Sequence, residues 1–386
     1  MKKLLLLLSF FISLTTFAQY KANEPLAHTF SIVARDTITG EMAVGVQSHW
    51  FSVGTSVSWA EAGVGAVATQ SFTNKSFGIR GLALLKVGKT AQEALDILLS
   101  DDAGIDVRQV AIVDNKGNVA VHTGKMCVQF AGHIKGSQYS VQANMMLSDK
   151  VPAAMSKAFE ASAGKPIAQR IMLALNAAQA VGGDIRGKQS AAILVVPAKS
   201  NNEPWNERTI DIRVDDSSNP LQELERLLKV QEAYQYMNQG DLAVEVNDMP
   251  NAMKLYGQAM KMFPNNLEMQ YWTAVTLANN KEVAKSLPMF KKIFKASNIS
   301  QQERMVLRYM TEVNDIQQAG VSRRDLFKMG LTPICRNTNN AINDSNTINI
   351  TRYIFNVWKT LSLSNEDIES LHKLPLLTNN GLEVAS

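Results

Sequence analysis

Cysteine is almost absent from this chain of 386 residues, which contains only Cys127 and Cys335. One pair of cysteines so far apart in sequence does not make the set of bridges that stabilises a small extracellular domain. We therefore interpret Cys127 as a small buried apolar residue. His49, His122 and His133 lack the spacing of helical metal ligands, and we predict no metal site.

A basic block long enough for a nucleic-acid arm is also missing. The chain has 39 lysine and arginine residues against 35 aspartate and glutamate residues, a formal net charge of +4. This near balance argues against nucleic acid as a partner. With 46% hydrophobic and 19% charged residues, the composition is that of a globular protein, and the length predicts two or three domains.

Long hydrophobic runs are missing beyond the first 18 residues. Residues 1–18 place two lysines before an apolar run from Leu4 to about Phe17, with small residues at Thr16 and Ala18, where a signal peptidase prefers them. We predict a signal peptide at 1–18, a periplasmic or secreted protein, and no membrane span after its removal. The alternative is an N-terminal anchor that is not cleaved.

Complete cofactor motifs are missing as well. Gly88-Lys89-Thr90 ends like a phosphate loop, but Ala83 stands where that motif needs its first glycine. The glycines at 63–68 match the dinucleotide fingerprint loosely, without the acidic residue that should follow about 20 positions later. We predict that the protein uses no cofactor.

A hairpin followed by a pair of helices is the pattern that dominates the first half of the chain. Apolar runs at 28–34 and 42–46 flank turn residues at 36–40, which predicts a β-hairpin. A strand at 63–70 and a helix at 77–87 follow, and Thr90 begins a second helix with a capping box. The cycle repeats with strands at 107–113, 119–122 and 139–144, helices at 149–161 and 166–181, and closing strands at 189–196 and 208–214.

This order predicts an α+β fold. Hairpin-linked strands form antiparallel sheets, and paired helices inserted between them must cover the outer faces of those sheets. The simplest packing is two sheets face to face with a helix layer outside each, a four-layer αββα sandwich over residues 28–216.

From Asn219-Pro220 onward the sequence predicts helices and no strands. Asn219 is the N-cap of the first of these helices, and Pro220 is its first helical residue. The spacing of the turns at 264–266 and 296–298 resembles the tetratricopeptide period of about 34 residues. We predict an all-α helical-repeat region at 219–320, with a protein partner for helices 231–300, and a poorly organised tail at 321–386. A generic helical appendage is the alternative.

A hydroxyl residue, Thr29, begins the first strand of the predicted sandwich. If it becomes the first residue of the mature chain, its α-amine has an ordinary pKa near ~8 and lies within reach of its own hydroxyl. The amine can then act as general base, so that a threonine nucleophile needs no histidine. Asn144 or backbone amides near Gly65 would supply the oxyanion donors.

Several strings in residues 28 to about 216 are long and specific. They are HTFSIVARD at 28–36, VQSHWFSVG at 46–54, WAEAGVGAVATQ at 59–70, AGH at 131–133, QANM at 142–145 and GGDIRGKQSA at 182–191. They resemble the bacterial family called domain of unknown function 1028, which is grouped with the N-terminal-nucleophile (Ntn) hydrolase fold. The resemblance implies the αββα fold for about half of the chain and leaves the activity open, because a fold is not a function.

The chain departs from this family at its start. Some members begin at the equivalent threonine directly after the initiator Met. Here cleavage after Ala18 leaves Gln19 to His28 in front of Thr29. An Ntn mechanism therefore requires a second cut between His28 and Thr29.

Five further residues are candidates for the same site. Ser48 and His49 end the second predicted strand, where a pocket rim is expected, and the alternative is a solvated loop. Gln70 ends a buried strand and needs a partner, from ligand or structure. Asp184 and Arg186 lie in a Gly-rich turn, as site residues or as an ion pair that shapes the turn.

Three functions are compatible with these observations. The first is an exported Ntn-type amidohydrolase for a small amide or peptide-like substrate, with Thr29, Asn144 and Asp184 as catalytic residues and Ser48, His49, Gln70 and Arg186 in substrate binding. The second is a non-catalytic ligand-binding protein that uses the same pocket. The third is a scaffold whose helices bind a partner. A homo-oligomer is compatible with all three.

Overall fold

The computed structural model describes residues 26–27, 29–280, 282–296, 376–378 and 381–383. The chain divides into two compact units, residues 1–228 and 229–386. The strands of the first unit are β1 (Leu26–Ala27), β2 (Thr29–Arg35), β3 (Met42–Ser48), β4 (Ser58–Glu61), β5 (Gly65–Phe72), β6 (Arg108–Asp114), β7 (Val119–Thr123), β8 (Gly132–Gly136), β9 (Tyr139–Ala143), β10 (Ser190–Val196) and β11 (Ile210–Val214).

Helices alternate with these strands in pairs. They are α1 (Gly54–Val57), α2 (Ser76–Lys86), α3 (Ala91–Ser100), α4 (Val151–Ala161) and α5 (Ile167–Ala180), followed by α6 (Pro220–Glu245), which begins in this unit. The capping box at the start of α3 is formed: the Thr90 side chain accepts from the Glu93 backbone N–H, and the Glu93 side chain accepts from the Thr90 N–H.

The strands form two antiparallel sheets. The first sheet has the order β1-β5-β6-β7, with β4 also paired to β5, and the second has the order β11-β10-β3-β2-β9-β8. The β2–β3 hairpin closes through Asp36, whose carboxylate accepts hydrogen bonds from the backbone N–H groups of Ile38 and Thr39, each at 2.8 Å. Gly40 completes the turn at φ +74°, a conformation that favours glycine.

Successive side chains along a strand point to opposite faces of its sheet, and each face packs in an apolar core. Val33 and Val44 of the second sheet pack against Ala68 and Ala111 of the first, so the two sheets face each other. The outer face of the first sheet is covered by α2 and α3, and the outer face of the second by α4 and α5. The mixed α+β prediction with antiparallel sheets is therefore confirmed.

Three strands of the first unit have no counterpart in the sequence prediction: β1, β4 and β8. The first two have only two and four residues, too few to show a period. Strand β8 is a short edge strand with a charged and a histidine side chain on its exposed face. Short edge strands of this kind are held by their neighbours in the sheet and not by their own apolar pattern.

The second unit is helical over most of its described residues. The later part of α6 packs with α7 (Met249–Met262) and α8 (Leu267–Asn279) around Tyr256, and α9 (Val283–Ala296) follows. A short hairpin pairs β12 (Leu376–Thr378) with β13 (Gly381–Glu383). The other residues of the predicted tail, and Cys335, lie outside the described residues. Within the described ranges, no helix is both long enough and apolar enough to cross a bilayer.

Candidate functional site

A row of hydroxyl and amide residues crosses one end of the second sheet. Thr29 on β2 is in register with Ser48 on β3, and Ser48 with Ser190 on β10. On the other side of Thr29, the Asn144 backbone N–H donates to the Thr29 carbonyl at 3.0 Å. All four residues are fully buried. The register of the antiparallel strands thus brings Thr29, Ser48 and Asn144 together, although 115 residues separate the first from the last.

Two glutamines of the first sheet reach the same point. Gln70 and Gln109 are in register on β5 and β6. The Gln70 side-chain amide donates to the Thr29 carbonyl at 3.2 Å and to Gln109 Oε1 at 2.7 Å. The Asn144 side-chain amide also donates to Gln109 Oε1, at 2.9 Å. The carbonyl of Thr29 is therefore held by donors from both sheets.

We call Gln70, Gln109, Gln142, Asn144 and Ser31 the amide cluster. Ser31 Oγ donates to Gln70 Oε1 at 2.6 Å and accepts from Gln142 Nε2 at 2.6 Å. Every member is fully buried between the sheets. Burial of this many polar groups is tolerated because they bond to one another, and such a network fixes side-chain positions firmly.

The amide cluster is connected to the surface through Thr123 and His133. Gln109 Nε2 donates to Thr123 Oγ1 at 2.9 Å, and Thr123 Oγ1 shares a 2.8 Å hydrogen bond with His133 Nδ1 whose donor depends on the histidine tautomer. Desolvation of the ring, and secondarily the charge of His122, lowers the pKa of His133 below its ordinary value.

Left-handed backbone directly follows two side chains of the site, once inside β5 and once just after β9. Ser71, directly after Gln70, has φ 69°, and Met145, directly after Asn144, has φ 58°. A non-glycine residue in this region is uncommon, and such residues cluster at functional sites. The backbone thus bends immediately beyond the two side chains that touch the Thr29 carbonyl.

Asp184 organises a second cluster at the same end of the sheet. Its carboxylate accepts from the His49 backbone N–H at 3.0 Å and pairs with the Arg186 guanidinium at 2.6 Å. The Asp184 side chain is fully buried, and Asp184 also forms a β-bridge with Met146, two residues beyond Asn144. Asp184 and Arg186 therefore form the turn-shaping ion pair that the sequence left as one alternative.

The structure thus places the seven predicted site residues in two adjoining groups. Thr29, Gln70 and Asn144 are joined by hydrogen bonds, with Ser48 beside Thr29 in register. His49, Asp184 and Arg186 form the other group. Metal ligands do not gather here or elsewhere in the described part of the chain: no three His, Cys, Asp or Glu side chains lie close enough to hold an ion.

Sequence analysis missed Gln109, Gln142 and the Thr123–His133 pair as site residues. Gln109 lies in a strand whose other members are largely apolar and buried. A polar side chain that faces a core from inside a buried strand is the signal that could have singled it out. Cys127 is partly buried, its thiol donates to the Arg108 carbonyl at 3.3 Å, and burial raises its pKa.

Comparison with known proteins gives a family match for the first unit. Residues 29–224 match the family described as a family of unknown function, DUF1028. Among solved structures, the crystal structure of protein SPO2555 from Silicibacter pomeroyi, described with the same family, is similar at 30% sequence identity. That similarity has a TM-score of 0.47 and covers 52% of this chain and 85% of that one. No curated protein matches the chain.

Proposed function

Because the chain belongs to the DUF1028 family, whose function is unknown, its activity has to be inferred from the site, and we propose an exported amidohydrolase of the Ntn type. Its substrate is a small amide or a peptide-like molecule. The first unit is then an Ntn-type αββα sandwich, and residues 1–18 direct export.

The observation that carries this proposal is the way in which Thr29 is held. Its carbonyl accepts from the Asn144 backbone N–H at 3.0 Å and from the side chain of Gln70 at 3.2 Å. A nucleophile needs such fixed placement, because productive attack tolerates little displacement. Once Thr29 is the first residue, its amine takes the proton from its hydroxyl as the hydroxyl oxygen attacks the substrate carbonyl. The same amine then gives this proton to the leaving nitrogen as the C–N bond breaks, and a water molecule hydrolyses the acyl ester on Thr29.

Asn144 is the proposed oxyanion donor. Its side-chain amide has two hydrogens to donate. Asn144 Nδ2 lies 2.9 Å from Gln109 Oε1 and, in a longer hydrogen bond, 3.4 Å from the Thr29 carbonyl oxygen. The longer bond is the weaker one, so this hydrogen can turn to a developing oxyanion at small cost. Gln109 keeps the amide oriented while this occurs.

Substrate binding is assigned to the second group. The Arg186 guanidinium retains 29% of its side-chain exposure while it pairs with Asp184, so it can also bind a carbonyl or carboxylate of the substrate. Asp184 contributes to catalysis by holding the His49 backbone beside Ser48. Gln70 contacts the reacting residue from the opposite sheet.

A cut before Thr29 has two physical consequences. It converts the Thr29 amide nitrogen into an amine, and it releases β1, whose residues Leu26 and Ala27 pair with Phe72 and Ser71 of β5. Ser71 directly follows Gln70. Removal of β1 therefore uncovers the strand end beside the amide cluster, which is otherwise buried.

Replacement of the nucleophile tests the proposal. The protein is produced with a leader that a specific protease removes directly before residue 29, so that the test does not depend on natural processing. We expect Thr29→Ala to lower turnover of amide substrates by at least roughly 10³-fold. The melting temperature changes little, because the hydrogen bonds from Asn144 and Gln70 end on the Thr29 backbone carbonyl, which the substitution keeps. Thr29→Ser is the matched control and retains turnover. Turnover by the Thr29→Ala protein would contradict the mechanism.

A second candidate function, a partner-binding scaffold, is favoured by a cavity in the helical unit. Helices α6 and α8 enclose about 360 Å³, lined by Asp241, Glu268, Trp272 and other side chains. Tyr256 donates to Asp241 at 2.6 Å and Tyr234 to Glu268 at 2.8 Å, which fixes both carboxylates. We propose that these tetratricopeptide-like helices bind a protein partner. Deletion of residues 231–386 removes that partner and leaves amide turnover intact.

A further inference from the structure

Five exposed hydrophobic side chains lie in the loops at the end of the sheet where Thr29 begins. Large hydrophobic residues that are exposed in isolation need no explanation, but a group of them marks an interaction site. We call this group the apolar rim. Its members are Phe51, 63% exposed, Met126, 62%, Phe130, 43%, Leu147, 56%, and Ile185, 58%.

Backbone hydrogen bonds join the loops that carry most of the apolar rim. The Met146 N–H donates to the Phe130 carbonyl at 3.4 Å, the Leu147 N–H to the Gly183 carbonyl at 2.9 Å, and the Ile185 N–H to the Met145 carbonyl at 3.2 Å. Phe130, Leu147 and Ile185 therefore belong to one continuous stretch of structure and not to three independent loops.

The same loops are fixed by the candidate site. Asp184, which precedes Ile185, bonds to the His49 N–H, and the carbonyl of Gly132, two residues after Phe130, accepts from Gln109 Nε2 at 3.2 Å. Leu147 lies against Gly182, where a Cβ would be 2.8 Å from Leu147 Cδ2. The apolar rim is thus preformed, and Leu147 stands three positions after Asn144, at most about 10 Å of chain.

The candidate site and the apolar rim differ in chemistry. The site around Thr29 is lined by the hydrogen-bonding groups of the amide cluster and has little apolar surface, whereas the rim offers apolar surface within a short distance. A substrate that satisfies both has an amide group at one end and an apolar group of several carbons at the other.

We infer that the apolar rim binds the acyl group of the substrate, and that the preferred substrates are amides of medium-length fatty or arylalkanoic acids. This inference rests on the proposed amidohydrolase function and specifies its substrate class. The apolar group lies on Phe130, Leu147 and Ile185 while the amide carbonyl reaches Thr29 and Asn144.

The test compares 4-nitroanilides of acetic, hexanoic and decanoic acid as substrates of the chain that begins at Thr29, produced by the same leader cleavage and otherwise intact to Ser386. We expect kcat/KM to rise at least tenfold from the acetyl to the decanoyl compound. Leu147→Ser and Ile185→Ser lower the decanoyl-to-acetyl ratio at least fivefold. Ile38→Ser is the matched control: it removes a side chain that is still more exposed, at 79%, in the β2–β3 turn, and leaves both rates unchanged.

A binding measurement separates this inference from the proposed activity. Calorimetric titration with decanamide and acetamide requires no turnover. If no anilide is cleaved, but decanamide binds more tightly than acetamide and Ile185→Ser abolishes the difference, the apolar rim is supported and the hydrolase is not. If all anilides are cleaved at equal kcat/KM and the two amides bind alike, the rim inference is overturned and the hydrolase stands.

The alternative to an acyl group on the apolar rim is a second copy of the chain. Light scattering of the wild type and of Ile185→Ser distinguishes this case. A change from dimer to monomer on substitution, with unchanged amide binding, would overturn the inference. Equal melting temperatures of the variants and the wild type show that the comparison is between folded proteins.

Discussion

The Gln70 side chain forms hydrogen bonds with residues of both sheets. It accepts from Ser31 and donates to Gln109 and to the Thr29 carbonyl. Each of these partners is buried, so a side chain without hydrogen-bonding groups at position 70 leaves them unsatisfied. The residue therefore contributes to stability as well as to the position of Thr29.

Substitution of Gln70 measures this contribution. We expect Gln70→Leu to lower the free energy of unfolding of the first unit by about 3 kcal/mol, because more than one buried partner loses its bond and each such loss costs about 1–3 kcal/mol. Urea denaturation gives the value. Gln92→Leu, at an exposed glutamine that bonds only to Asp96 in α3, should change it by less than about 0.5 kcal/mol. Equal effects of the two substitutions would show that the cluster is not tightly coupled.

His133, at the surface end of the same hydrogen-bond network, makes the stability of the folded chain depend on pH. Its pKa in the folded protein lies below its ordinary value of 6.5. Above that value the histidine is neutral in both the folded and the unfolded chain, and its contribution is fully present. As the pH falls below 6.5, the unfolded chain binds the proton first, and stability is lost until the folded pKa is reached.

The melting temperature of the wild type should therefore fall between pH 7.5 and pH 5.5. His133→Gln removes the titrating group and makes this decrease smaller, while His49→Gln serves as the control for loss of a histidine elsewhere in the first unit. Parallel pH profiles for the wild type and the His133→Gln protein would contradict the lowered pKa of His133 in the folded chain.

At the scale of elements, the contact between β3 and α5 depends on Gly45. A Cβ at this position would lie 2.1 Å from Ile171 Cγ2 and 3.4 Å from Ile32 Cγ2. Nothing but glycine leaves room for the helix at this distance from the sheet. The Ile171 side chain of α5 therefore packs directly on the backbone of the strand that carries Ser48.

We expect Gly45→Ala to lower the free energy of unfolding by roughly 2–3 kcal/mol, as overpacking in a filled core does. Gly132→Ala is the matched control in the same sheet, since no atom lies within 4 Å of its Cβ position. Chemical denaturation of both proteins gives the comparison. A Gly45→Ala protein as stable as the Gly132→Ala protein would mean that α5 can move away from the sheet.

Elements were predictable from sequence where local chemistry determines them. The β2–β3 turn follows from Asp36 and Gly40, and the start of α3 follows from Thr90 and Glu93, because each motif is satisfied within a few residues. Strand β1 could not be predicted, because its two residues are held only by pairing with β5. The amide cluster was beyond sequence reasoning for the same reason: Gln70 and Gln109 meet Asn144 only after the two sheets face each other.

At the scale of the whole molecule, the first unit includes the beginning of α6. Leu221 and Leu224 are buried in the same core as Val214 and Ile193. A chain that ends after residue 228 should therefore keep the unfolding free energy of the first unit. A chain that ends after residue 216 loses both leucines and about 3–6 kcal/mol, since each buried leucine contributes about 1.5–3 kcal/mol.

Urea denaturation of the two truncated proteins checks this prediction. Amide turnover should follow the same order, retained in the longer chain and lost or reduced in the shorter one. Equal stability of the two proteins would show that α6 is dispensable for the first unit.

The identity of the first residue of the active protein tests the central claim most directly. We would secrete the full chain from a bacterial host, isolate the fraction that cleaves amides, and determine its N-terminus by mass spectrometry. The account predicts Thr29 as the first residue, with its α-amine free. An active fraction that starts at Gln19, with Thr29 still internal, would contradict it, because the threonine would then lack its base.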